Sequence, residues 1–125
     1  MAMKKIRLEL ARDPDFPEGS RNHGYEFTAP LDENDRINVE DWRRMRERCR
    51  VRRFWGGDPD EIGHVVRKPG GSWAFHYDVH GEEEDDDTGY RFADHQFRIG
   101  DYVSLRERDD ELRTFRVVSA TDLPD

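Results

Sequence analysis

The segment Trp73–His80 alternates without a break. Trp73, Phe75, Tyr77 and Val79 fall on one side of an extended chain, and Ala74, His76, Asp78 and His80 fall on the other. That period of two predicts a strand with one aromatic face and one face carrying two imidazoles and a carboxylate. Antiparallel sheets commonly bury one such face and leave the other to water. The aromatic side is therefore expected inside, and the His-Asp-His side outside.

Burying those rings requires a core, and the chain has little else to build one from. Of its 125 residues, 34% are hydrophobic and 40% are charged, a balance that borders on disorder because burial must offset chain entropy. Three Trp, seven Phe and four Tyr tip it toward a folded state, since each ring buries a large area. One domain spanning 1–125, with a thin aromatic core and a heavily ionised surface, is the expectation.

Further strands follow from the same alternation. Ile6, Leu8 and Leu10 share a face, and Asp13–Ser20 is a breaker-rich loop. Tyr25 and Phe27 mark a second strand ending near Pro30. Asn38 is a suitable N-cap, with Glu40 and Asp41 in the first helical turn where the dipole favours them. Val39, Trp42, Met45 and Cys49 then form one helical stripe. Residues 50–55 fit either a helix or a strand. A strand is favoured because β-branched and aromatic residues cluster there before Gly56-Gly57.

Residues 62–67 and 73–79 flank Lys68-Pro69-Gly70-Gly71-Ser72 and should pair as a hairpin. Residues 81–87 are an exposed acidic loop, and Phe97 and Ile99 lead toward another strand. Val103 with Leu105, and Phe115 with Val117, complete the pattern. The predicted fold is mainly β: a small antiparallel barrel-like or strongly curved sheet of about six strands. One α-helix would plug an open end or cover one side.

Charge and composition narrow the partners. A formal net charge of −8 opposes general nucleic-acid binding. The N-terminus lacks the uninterrupted apolar run of a signal peptide, and no stretch approaches membrane-spanning length. Cys49 is the one cysteine, so neither an internal disulfide nor a cysteine-based metal framework can form. A cytoplasmic protein without membrane association is expected.

Gly24–Leu31, Cys49–Trp55 with Gly70–Asp78, and Phe97–Leu105 with Thr114–Ser119 together resemble a group of small uncharacterised proteobacterial proteins. The likeness spans most of the chain. It implies a bacterial cytoplasmic protein, and no activity or site residue comes with it. Gly100–Leu105 is also similar to the way strands begin in SH3-like and other small barrels.

Three features bear on chemistry. His76, Asp78 and His80 are the candidate metal ligands, Zn²⁺ being the natural ion for imidazole and carboxylate. Alternate residues of a strand lie about 7 Å apart, so neighbouring pairs can share an ion; His76 and His80 are about 13 Å apart unless the strand bends. The competing reading is a solvated outer face.

Arg43, Arg44, Arg46, Arg48, Arg50, Arg52 and Arg53 put seven cations into eleven residues. Arg43, Arg46, Arg50 and Arg53 are the candidate anion patch. The bland alternative scatters them over several faces, pairing with residues 82–87 and other carboxylates. Cys49 between two arginines invites a reactive thiol, but its place on the Trp42–Met45 stripe predicts a buried, inert one.

No phosphate-binding glycine loop, HExxH or nucleophile elbow is present. The leading expectation is a non-catalytic binding module that meets a protein partner through a charged sheet face or loop. A metal-dependent hydrolase or lyase at His76, Asp78 and His80 is the alternative. Nucleic-acid binding through Arg43–Arg53 is the second alternative.

Overall fold

A computed structural model describes residues 2–69, 72–78, 87–90, 96–107 and 111–123, with backbone alone for residues 2 and 87–90. The strands are β1 (Ala2–Leu10), β2 (Ser20–Leu31), β3 (Arg50–Trp55), β4 (Glu61–Arg67), β5 (Trp73–Tyr77), β6 (Asp87–Tyr90), β7 (Tyr102–Arg106) and β8 (Leu112–Asp122). Each pairs antiparallel with the next, and β1 pairs with β8, so the sheet closes into a barrel. The helix α1 (Val39–Met45) and a 3-10 turn (Arg46–Arg48) lie between β2 and β3.

Alternation fills the barrel. Trp73, Phe75 and Tyr77 are buried as predicted, at 1%, 0% and 2% exposure. Tyr25 meets Phe75 and Phe115 with ring centroids 5.1 Å apart in each case. Phe27 meets Phe75 at 5.2 Å and Phe97 at 5.4 Å. Tilted and edge-on rings at these separations suit the aromatic quadrupole and leave the axis packed with side chains.

The helix forms where its cap predicts. Asn38 Oδ1 accepts the Asp41 N–H at 3.0 Å, and acidic residues occupy the first turn. It plugs the barrel end formed by the last residues of β2 and the first of β3. Trp42 donates its indole N–H to the Val65 carbonyl at 2.9 Å and packs edge-on against Trp73 at 5.1 Å. The helical stripe stops short of Cys49, which follows the 3-10 turn.

Several expectations need correction. Among the described residues there are eight strands rather than about six, and β2 begins at Ser20, the residue expected to end the preceding loop. Asp87, expected at the end of an acidic loop, begins β6; residues 79–86, with the remainder of that loop, lie outside the described residues. Phe97 and Ile99 lead into β7 as expected, and neither lies in a strand itself. Phe97 drops into the core at 1% exposure, anchored by its N–H on the Asp35 carbonyl at 2.8 Å, while Ile99 is 65% exposed. Residues 50–55 form a strand, in line with their β-branched and aromatic content, and 61–67 pair with 73–77 as the expected hairpin.

Candidate functional site

The residues singled out from sequence go to different places. His76 and Asp78 lie on the outer face, as their alternation requires, but Asp78 is already engaged. Its Oδ1 lies 2.9 Å from His64 Nδ1, and its Oδ2 lies 3.5 Å from Arg50 Nη2. His64 is also the cross-strand neighbour of both Arg50 and His76. His80 is outside the described residues. Among the described residues, no group of three or more His, Cys, Asp or Glu side chains is arranged to hold a metal ion.

The arginine segment disperses. Arg43 reaches Glu40 on the helix at 3.3 Å, and Arg46 stands over the Trp42 ring at 5.9 Å. Arg50 joins Asp78, and Arg53 turns into the opposite end of the barrel. The four candidate anion ligands therefore make no common patch. Their described carboxylate partners include Glu40, Asp78, Glu61 and Glu107; the side chains of residues 82–87 lie outside the described residues. Cys49 is buried and donates its thiol to the Met45 carbonyl at 3.4 Å. Burial pushes its pKa up to about 11 despite the nearby Arg48 charge, which makes it an inert thiol at neutral pH.

A different feature organises the surface. Glu9 of β1 pairs with Gly24, but the next residue, Leu10, pairs with Ser20. Residues 21–23 therefore bulge out of β2, a device that re-aims side chains at a sheet surface. Gly24 resumes the pairing because a Cβ there would sit 2.0 Å from the Leu8 carbonyl oxygen.

Each residue of the bulge is tied down. Arg7 donates to the Arg21 carbonyl at 3.0 Å and is itself gripped by Glu9 at 2.8 Å and Glu26 at 3.1 Å. Burial raises the Glu26 pKa, but Arg7, Lys5 and Arg52 outweigh it and hold this carboxyl below its usual range. The Gly56 N–H donates to the Asn22 carbonyl at 2.8 Å. Ser20 Oγ accepts the Asn22 N–H at 3.2 Å and lies 2.7 Å from His23 Nδ1.

The Ser20–His23 contact closes the bulge rather than forming a nucleophile pair. The hydroxyl also serves the backbone, and the imidazole is wedged between Phe16 at 4.4 Å and Trp55 at 4.7 Å. Desolvation, reinforced by the charges of Arg53 and Arg113, lowers the His23 pKa.

Behind the bulge sits a charged cluster closing this end of the barrel. Glu107, 4% exposed, accepts from Tyr25 Oη at 2.5 Å and from Arg53 Nη2 at 3.2 Å. Arg113 reaches Asp13 at 2.9 Å and Asp15 at 3.3 Å, fastening the β1–β2 loop to β8. Its Nε is 3.1 Å from Glu107 Oε1, within ion-pair range but out of hydrogen-bond alignment. Burial lowers the Arg113 pKa, but Asp13, Asp15 and Glu107 together raise it. With two guanidinium groups and a phenol on one carboxylate, this is a polar plug whose charges are paired, with Arg113 Nε held by the ion pair alone.

The pinned bulge and the outer face of β1, β7 and β8 enclose an open groove of about 1000 Å³. Glu9, Arg12, Glu18, Arg21, Asn22, Tyr102 and Arg116 are among its lining residues. Sequence reasoning missed it. The one usable signal was Tyr102, a large ring in the outward phase of a strand whose Val103 and Leu105 point in, and 60% exposed. The bulge itself left no periodic trace. No protein-family model, curated protein or solved structure matches this chain.

Proposed function

We propose that this chain is a small, non-catalytic binding module that meets a protein partner through the charged outer face of its barrel. The groove beside the β2 bulge is the contact. One observation carries this reading: the bulge is held rigid on both sides, by Arg7 on the Arg21 carbonyl and by the Gly56 N–H on the Asn22 carbonyl. A segment fixed before contact loses little conformational freedom on binding.

Two further features support it. The barrel axis is occupied by Tyr25, Phe27, Phe75, Phe97 and Phe115, so recognition falls to the exterior. The groove is open, polar and large enough for several residues of a partner chain. The nucleic-acid alternative draws no support from Arg43, Arg46, Arg50 and Arg53, which diverge. A cytoplasmic setting accords with a single, buried cysteine.

A photo-crosslinking amino acid placed at Asn22 tests the reading, with the same group at Arg43 on the exposed helix as control. Expected in lysate is a discrete protein adduct from position 22 and none from position 43. Equal labelling from both positions, or no adduct from position 22, overturns it.

A further inference from the structure

We infer that the groove takes an extended, acidic peptide segment, its carboxylates received by Arg12, Arg21 and Arg116. This inference rests on the protein-binding reading above and adds the chemistry of the partner.

The disposition of arginine side chains carries it. In this acidic protein most described guanidinium groups are already committed. Arg7, Arg43, Arg44, Arg50, Arg52, Arg53, Arg98 and Arg113 each hold a carboxylate. Arg46 and Arg67 lie over Trp42 and Trp73. By contrast Arg12, Arg21 and Arg116 are exposed, have no carboxylate partner among the described residues, and line the same groove. A guanidinium fork left open beside a fixed backbone is suited to a carboxylate, which it grips through paired N–H donors.

The placement is built rather than incidental. Arg116 sits on the outer face of β8, directly across from Glu9 on one side and Tyr102 on the other. Glu9 is neutralised by Arg7, the same side chain that pins the Arg21 carbonyl. One arginine therefore masks the competing carboxylate and steadies the bulge that presents another. Arg12 lies in the bend just past β1 and lines the same groove as Arg116 and Arg21.

Backbone chemistry favours a peptide over a nucleic acid. A phosphodiester backbone has no hydrogen-bond donor to set against Glu18, which lines the groove. A peptide can set a backbone N–H group against Glu18 and place its carboxylates on the arginines. Tyr102 supplies the apolar surface for the intervening side chains or backbone.

The test uses the full chain and three labelled probes: a seven-residue peptide of alternating serine and glutamate, the same peptide with glutamine for glutamate, and heptathymidylate. Fluorescence anisotropy gives affinity, and amide shifts locate the contact. Expected is at least tenfold tighter binding of the glutamate peptide than of the glutamine peptide, weakening with salt, with shifts at Arg21, Asn22, Tyr102 and Arg116. Arg21→Glu and Arg116→Glu should each weaken binding at least tenfold. Arg48→Glu, an exposed arginine outside the groove, should leave it unchanged, and thermal melting confirms that all three variants fold.

Equal binding of the glutamine peptide in the groove overturns the carboxylate inference and leaves the protein-binding face standing. Failure of the glutamate peptide to shift the groove residues overturns it too, while the crosslink from Asn22 judges the broader reading on its own. Tighter binding of heptathymidylate at the same residues overturns it in favour of a polynucleotide.

Discussion

Tyr25 and Glu107, 82 positions apart in the chain, meet inside one end of the barrel, where the phenol donates to Glu107 Oε2 at 2.5 Å. That bond joins β2 to the end of β7, and the same carboxylate oxygen takes Arg53 from β3. Tyr25→Phe keeps the ring packing on Phe75 and Phe115 and removes one donor from a buried charge. It should cost about 1–3 kcal/mol. Glu107→Ala strips the carboxylate from two part-buried guanidinium groups and should cost about 3–5 kcal/mol. Urea denaturation of both variants checks the order as well as the sizes.

Arg7 is the hinge pin of the bulge, although its head lies outside the groove lining. Arg7→Lys retains the charge but gives up the fork that spans Glu9, Glu26 and the Arg21 carbonyl. The stability loss should be small, about 0–1 kcal/mol, because these pairs are partly exposed. Amide exchange at Arg21 and Asn22 should rise at least several-fold, while exchange in β4 and β5 stays as in the parent. Unchanged exchange in the bulge would show that Gly56 and Ser20 suffice to hold it.

Stability should depend on His23 below neutral pH. Its folded-state pKa is depressed below 6.5 by desolvation first, then by Arg53 and Arg113, against smaller opposing contributions from Asp58 and Glu107. Above 6.5 both states are neutral there and the group has no effect. As pH falls through 6.5 the unfolded chain takes up the proton more readily, so stability drops. Glu26, also depressed, adds a loss only at lower pH, below its ordinary value of 4.5. Melting temperature measured from pH 7.5 to 5 should fall in the parent and fall less in His23→Gln.

The packed axis makes its own prediction. Phe75 touches both Tyr25 and Phe27 at 0% exposure, so Phe75→Ala opens a cavity at the centre of the ring cluster. A loss of about 3–5 kcal/mol is expected in equilibrium unfolding. Phe97→Ala should fall in the same range, since that ring belongs to the same cluster despite lying in no strand.

Cys49 should resist modification in the folded protein. With its pKa at about 11 and its sulfur buried, the thiolate is scarce at pH 8. A disulfide reagent should label it slowly in buffer and rapidly in denaturant. Fast labelling of the native chain would mean that the 3-10 turn opens readily.

Local chemistry was enough for much of this architecture. Alternation at Trp73–Tyr77 assigned the inner and outer faces, Asn38 marked the start of the helix, and the 68–72 turn paired β4 with β5, because each depends on neighbours a few residues away. Closure of β1 onto β8, the inward drop of Phe97 and the meeting of Tyr25 with Glu107 depend on partners many tens of residues distant, and no short-range period encodes them. The groove belongs to this second kind. A three-residue bulge and three arginines on separate segments acquire a common surface only when the barrel closes around its aromatic centre.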